Sequence, residues 1–156
     1  MIVADLMTEN IARVRPDQSL NDAARLMWEC DCGSLPVLNE IGEVCGMITD
    51  RDICMATWLQ NRAPSELRVS NAMSRQLHHC SPQDPISTAE ALMRLKQIRR
   101  LPVLDGEGHL LGILSLADIA KETVQGTVPG LFSDALASTL ADICRTPALS
   151  RRSAQS

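Results

Sequence analysis

The chain has 156 residues, a formal net charge of −4 and a sequence pI of about 5.3, with 45% hydrophobic and 22% charged residues. That is enough material to bury a core without staples, and the acidic balance argues against a partner held by neutralising phosphates. With no Tyr, one Phe (Phe132) and two Trp (Trp28, Trp58), a base-stacking platform cannot be assembled, so no nucleic acid is expected as a partner.

Apolar runs such as Leu110-Leu111-Gly112-Ile113-Leu114 fall far short of the roughly 20 residues that span a bilayer, and no membrane association is expected. Met1-Ile2-Val3-Ala4-Asp5 lacks a basic segment followed by an apolar one, so the expected location is cytoplasmic. The six cysteines include no C-x-x-C pair, and disulfides are not expected. Cys45 and Cys54 read as small core residues. Cys30-Asp31-Cys32 and His78-His79-Cys80 match no zinc spacing, and no metal site is assigned.

In chain order, Asp5-Leu6-Met7-Thr8 reads as a helical turn and Ile11-Ala12-Arg13-Val14 as a short alternating strand. Pro16-Asp17-Gln18-Ser19 opens a helix over Leu20 to Glu29, in which Leu20, Ala23, Ala24, Met27 and Trp28 recur with helical spacing. Leu35 to Leu38 and Val44 to Ile48 form a hairpin around an Asn39–Glu43 turn, and Thr49 opens a helix to about Leu59. Asn61 to Val69 is a connector. A turn at Asn71-Ala72-Met73-Ser74 precedes a strand near Leu77 to Cys80 and a turn at Ser81-Pro82-Gln83-Asp84. Asp84 caps a helix beginning at Pro85 and carrying Ile86, Ala89, Leu92, Met93 and Leu95. A second hairpin joins Leu101–Leu104 to Leu110–Leu114 through Asp105-Gly106-Glu107-Gly108, and another helix starts at Ser115. Gly126, Pro129 and Gly130 mark a loop, Ser133 to Arg145 has helical spacing, and Pro147 to Ser156 reads as a frayed tail.

This order occurs twice. Gly46-Met47-Ile48-Thr49-Asp50-Arg51-Asp52 returns as Gly112-Ile113-Leu114-Ser115-Leu116-Ala117-Asp118, an offset of 112 − 46 = 66 that holds without a gap. It pairs Met7 with Met73, Pro16 with Pro82, Leu35-Pro36-Val37-Leu38 with Leu101-Pro102-Val103-Leu104, and Gly42 with Gly108. The chain divides into a first repeat over 1–61, a linker over 62–70, a second repeat over 71–124, and a C-terminal extension over 125–156 with one helix and a tail.

Leu-Pro-Val opening each hairpin and Gly-h-h-[Thr/Ser]-x-x-Asp-Ile closing it resemble a tandem pair of CBS (cystathionine β-synthase) domains. The resemblance covers roughly Asp5 to Glu122. Thr49-Asp50-Arg51-Asp52-Ile53 is similar to the motif of small stand-alone bacterial members. It implies an α/β (α+β) fold of two β-α-β-β-α repeats about a pseudo-two-fold axis, with three-stranded sheets packed together and helices outside. It further implies clefts between the repeats that take AMP, ADP, ATP or S-adenosylmethionine as a regulatory ligand, and a homodimer formed through the helices.

The residues support such a ligand in chemical terms. An ionised carboxylate accepts from both hydroxyls of a ribose, which suits Asp52 and Asp118 near helix starts. Thr49 and Ser115 stand where unpaired backbone N–H groups and the helix dipole favour phosphate. Arg51, Arg99 and Arg100 can supply positive charge. Main-chain groups around Ser34-Leu35-Pro36 and Arg100-Leu101-Pro102 can read an adenine edge. The competing reading is structural: Thr49-x-x-Asp52 and Ser115-x-x-Asp118 also resemble capping boxes serving their own helices. Family motifs often carry Ser or Thr before the Asp, where this chain has Arg51 and Ala117. The two clefts are therefore chemically unequal, and the Arg51 side is the better anion site.

The expected function is a non-enzymatic regulatory module that binds an adenosine nucleotide and signals in trans to an effector protein. A ligand-free dimerisation scaffold is the alternative, and a thiol or metal sensor built on Cys30, Cys32 and Cys80 the second. No Ser-His-Asp arrangement, phosphate-cradling glycine loop or paired catalytic carboxylates point to an enzyme.

Overall fold

A computed structural model of the chain describes residues 1–125 and 133–143. Five α-helices and two antiparallel hairpins follow in the order α1 (Leu20–Glu29), β1 (Ser34–Leu38), β2 (Val44–Thr49), α2 (Asp50–Gln60), α3 (Ile86–Lys96), β3 (Arg100–Leu104), β4 (Leu110–Ser115), α4 (Leu116–Gln125) and α5 (Ser133–Ile143). The loop at Gly126, Pro129 and Gly130 and the tail from Pro147 lie outside the described residues. Register repeats with the sequence: Val37 faces Gly46 as Val103 faces Gly112, and a bulge follows in each hairpin. Gly42 and Gly108 take φ of +86° and +87°, which explains why both hairpin turns carry glycine.

Two cores form, and they cut across the repeats. One gathers Val14, Leu20, Met27, Leu35, Ile48 and Ile53 of the first repeat, but closes with Leu67, Val69 and Met73 from beyond α2. The other gathers Ile86, Met93, Leu101, Leu114 and Ile119 and closes with Val3 from the start of the chain. The exchange is reciprocal. Val3 and Ala4 N–H donate to Asp84 and Pro82 carbonyls (both 2.9 Å), as Val69 and Ser70 N–H donate to Gln18 and Pro16 (2.8 and 3.0 Å). Thr8 then pairs with Ile113 on β4, and Ser74 with Met47 on β2. Each unit thus borrows the opening turn of the other repeat. A buried valine contributes about 1.5–3 kcal/mol to each closure, so the units hold each other in place.

The strands expected over 11–14 and 77–80 shrink to single parallel bridges, Val14 to Val37 and Cys80 to Val103. Each sheet is therefore a two-stranded hairpin with a one-residue third edge, not a full three-stranded sheet. Pro16 and Pro82 end the extension downstream, and Asn10 (φ 53°) breaks it upstream in the first repeat. Asp84 does not cap α3. Its Oδ2 accepts from Ser81 N–H (2.8 Å), and Pro85 occupies the cap position without a side-chain bond. Cys54, expected in the core, is exposed.

Helix α5 belongs to the second unit. Leu136 enters that core, Thr139 Oγ1–H donates to the buried Glu90 carboxylate (2.8 Å), and Gln97 Nε2 donates to the Asp142 carbonyl (3.3 Å). No helix among the described residues is long and apolar enough to cross a membrane.

Candidate functional site

Both repeat motifs close as capping boxes. Thr49 N–H and Oγ1–H donate to Asp52 Oδ2 (2.9 and 2.8 Å), while Asp52 N–H donates back to Thr49 Oγ1 (3.1 Å). Ser115 and Asp118 repeat the arrangement, with 2.9, 2.5 and 3.2 Å for the same three bonds. Each cap is built on one carboxylate oxygen. The Oδ1 of Asp52 and of Asp118 takes no part in it, and both side chains are half-buried at the wall of a cavity.

Two cavities lie between the units. The larger, about 490 Å³, brings together Thr49, Arg51, Asp52, Ser34, Arg99 and Arg100, with Pro102 at its edge. The smaller, about 380 Å³, brings together Ser115, Asp118, Ser34, Leu35 and Arg100. Ser34 and Arg100 are equivalent by the offset of 66 and line both spaces, so they mark the wall between the clefts. Leu101 is fully buried in the second core, and Pro36 is buried within β1. The carbonyls of Pro36 and Pro102 accept from Val14 and Cys80 N–H (both 3.1 Å), so those two main-chain acceptors serve the sheets.

Ser34 stands apart chemically. It is 8% exposed, and its hydroxyl is buried without a hydrogen-bond partner. A buried hydroxyl left unpaired costs about 1–3 kcal/mol, and native structures rarely tolerate one without a reason. Ser34 itself lines both cavities.

Electrostatics separate the clefts. The Asp52 cleft carries Arg51, Arg99 and Arg100 beside the carboxylates of Asp50 and Asp52, with His78 on its wall. The Asp118 cleft has Arg100 against Asp31 and Asp118, and it holds Cys30 and Cys32. Burial pushes the Cys32 thiol above its ordinary range, which keeps it protonated. Cys80 lies in the second core with its thiol pushed up to about 11 by burial, reinforced by Asp84. It packs with Val3, Ile86 and Leu101, away from the cavity wall that holds Cys30 and Cys32.

Motif reading alone did not single out Thr8, Asn10 and Ala12 on one cleft, or Ser74, Gln76 and His78 on the other. The offset of 66 pairs these six with one another, and that was the available signal. The motif glycines explain why these segments reach the clefts. A Cβ on Gly46 would stand 2.6 Å from the Ser74 carbonyl oxygen, and one on Gly112 2.8 Å from that of Thr8. Only glycine lets the crossing segment lie this close to its strand.

The profile described as CBS domain matches residues 3–58 and 69–124. The CBS domain-containing protein YhcV of Bacillus subtilis (strain 168) is 41% identical over 128 residues, 82% of this chain and 89% of that protein. A homoserine O-acetyltransferase of Methanococcoides burtonii is 37% identical over 119 residues, which is 76% of this chain but 23% of that protein. Among solved structures, CBSX2 in complex with AMP superposes with a TM-score of 0.71 at 28% identity, over 80% of this chain and 96% of that one.

Proposed function

The chain belongs to the CBS domain family, and from that premise we propose that it is a non-enzymatic regulatory module whose inter-repeat clefts bind an adenosine nucleotide (AMP, ADP, ATP or S-adenosylmethionine). Binding there signals in trans to an effector protein. The observation that carries this reading is the unpaired, buried Ser34 hydroxyl between two cavities, each of which also presents one carboxylate oxygen left over from a helix cap. Ribose hydroxyls are donors that complement those oxygens, and an adenine or ribose atom can satisfy Ser34. The Asp52 cleft is the phosphate-bearing site, because Arg51, Arg99 and Arg100 converge there. The AMP complex of the similar CBSX2 supports the ligand class. The outer face of α2, where Met55, Trp58 and Leu59 are exposed, supports homodimerisation through the helices.

Isothermal titration of the purified, ligand-free chain with AMP, ADP, ATP, S-adenosylmethionine and NADH tests the proposal, on wild type, Asp52→Asn and Asp118→Asn. Asn preserves an acceptor for the cap while removing the charge, so binding is read separately from helix stability. Saturable binding by an adenosine ligand, weakened in one Asn variant, establishes the reading and identifies the cleft. Absence of binding by all five compounds to folded protein sinks it and leaves the dimerising scaffold.

A further inference from the structure

In the second unit, α5 lies over the groove between α3 and α4, packed chiefly on α3. Its Leu136 joins Met93, Leu116 and Ile119, and Thr139 reaches Glu90, while Leu140, itself exposed, borders a remaining cavity of about 310 Å³ together with Leu116, Ala117 and Ala120. Subtracting 66 places the same groove on the first unit at Ala24, Met27, Asp50 and Ile53. There a cavity of about 420 Å³ opens between α1 and α2, lined by those residues with Trp28, Asp31 and Cys32. Among the described residues, no helix covers it. Trp28 at its mouth is 88% exposed.

The two grooves differ in charge as well as occupancy. The covered one belongs to a helix, α3, whose last turn carries Arg94 and Lys96, with Arg99 just beyond it, and the helix lying over it, from Ser133 to Ile143, contains two Asp and no Lys or Arg. At the matching positions the first unit has Trp28, Cys30 and Gly33, and both charged residues that line its groove, Asp31 and Asp50, are carboxylates. A helix of the α5 type would meet repulsion there. A helix of opposite sign would meet two carboxylates and an exposed indole face suited to Lys or Arg.

We propose that the α1–α2 groove of the first unit is a docking site for a basic amphipathic helix of a partner protein, seated as α5 is seated in the second unit. The groove shares Gly33 and Asp50 with the Asp52 cleft, and Asp31 and Cys32 with the Asp118 cleft. A docked helix therefore touches the walls of both spaces, and on the nucleotide-binding reading this contact couples ligand to partner. Docking itself needs no nucleotide, so failure of one proposal leaves the other standing.

The test uses the full chain carrying Trp58→Phe, so that Trp28 alone reports. Its emission is followed while adding a helix-stapled peptide of residues 133–143 carrying Asp134→Lys and Asp142→Lys, or the same peptide unsubstituted. The expected result is a saturable blue shift with the lysine peptide and binding weaker by at least about tenfold for the acidic one. Ala24→Arg should abolish the shift by blocking the groove. Asp31→Asn, which keeps a residue suited to the left-handed backbone there (φ 49°), should weaken it without disturbing the fold. No shift with either peptide, equal response to both, or a chain that sediments as a dimer with Trp28 emission already blue-shifted before any peptide is added overturns the proposal.

Discussion

The two units share a backbone plan and differ in what is laid over it. The hairpin register, the glycines under the crossing segments, the hydroxyl–carboxylate caps and the exchanged valines recur at an offset of 66. Several other side chains facing the clefts and helix grooves do not. Arg51 stands opposite Ala117, Ser34 opposite Arg100, Ala24 opposite the buried Glu90, and Trp28 opposite Arg94. Positions whose residue type is dictated by local backbone or packing geometry have stayed alike, the cap carboxylates Asp52 and Asp118 among them, while other positions facing a cavity have diverged. The comparison identifies which half of the molecule is completed in cis: the second unit has its helix, and the first presents the same groove open.

The largest expected effect tests that contrast in the cores. Met93 is fully buried beneath α5, whereas Met27 borders the open groove. Truncation to alanine should cost about 2–5 kcal/mol, with Met93→Ala toward the upper end and Met27→Ala toward the lower, because an open wall can relax. Urea midpoints of the two variants decide it, and equal losses would mean that α5 adds no packing constraint. The strand glycines come next. Gly46→Ala should destabilise by about 1–3 kcal/mol, and Gly112→Ala by somewhat less, following the tighter approach at Ser74 than at Thr8. A neutral Gly46→Ala would show that the crossing segment can move away from β2 freely.

Much of the fold was legible because its signals are local. Short apolar runs on either side of Gly-containing turns mark the hairpins, helical spacing marks α1 and α3, and Ser19, Thr49 and Ser115 announce their helices. What was not legible is non-local. Nothing in the spacing of Val3 or Val69 says that each completes the core of the other repeat. Nor does periodicity separate a core residue from an exposed one: Trp28 fits the apolar pattern of α1 yet lies exposed, because none of the described elements covers that face. The motif residues at the helix starts could be placed near a cleft, since caps fix side-chain direction. Ser74, Gln76 and His78 reach theirs only through the crossing of segments, which no single-repeat pattern encodes.

A smaller effect separates the structural part of each motif from any binding role. Thr49→Val and Ser115→Ala remove the hydroxyl that accepts from the third helical N–H, and each should cost about 0.5–2 kcal/mol. The losses should be similar in the two repeats, since the boxes are superimposable in their bonds. Any difference in nucleotide affinity between the variants, measured by titration, would then reflect the unequal clefts and not unequal helices.

The smallest effect is a pH dependence confined to one hairpin turn. Asn39 Oδ1 accepts from Ile41 and Glu43 N–H (3.1 and 2.9 Å), and Asp105 Oδ1 accepts from Glu107 and His109 N–H (both 2.9 Å). The turns are alike in geometry, but of the two acceptors Asp105 is an ionisable carboxyl and Asn39 a neutral amide. The His109 backbone N–H is the chief cause that holds its carboxyl below the ordinary range, with further help from the Glu107 N–H and the His109 ring. A depressed folded-state pKa means that the carboxylate stabilises the turn above the unfolded value of about 3.9. That contribution fades as pH falls through the lower folded value. Amide exchange at Glu107 and His109 should therefore accelerate, relative to its intrinsic rate, on acidification below about pH 4, while Ile41 and Glu43 keep their protection. Asp105→Asn should make the second turn behave like the first, and Asn39→Asp should confer the acid sensitivity on the first. Two turns that respond alike would show that the carboxylate's charge adds nothing there beyond the geometry an amide already supplies.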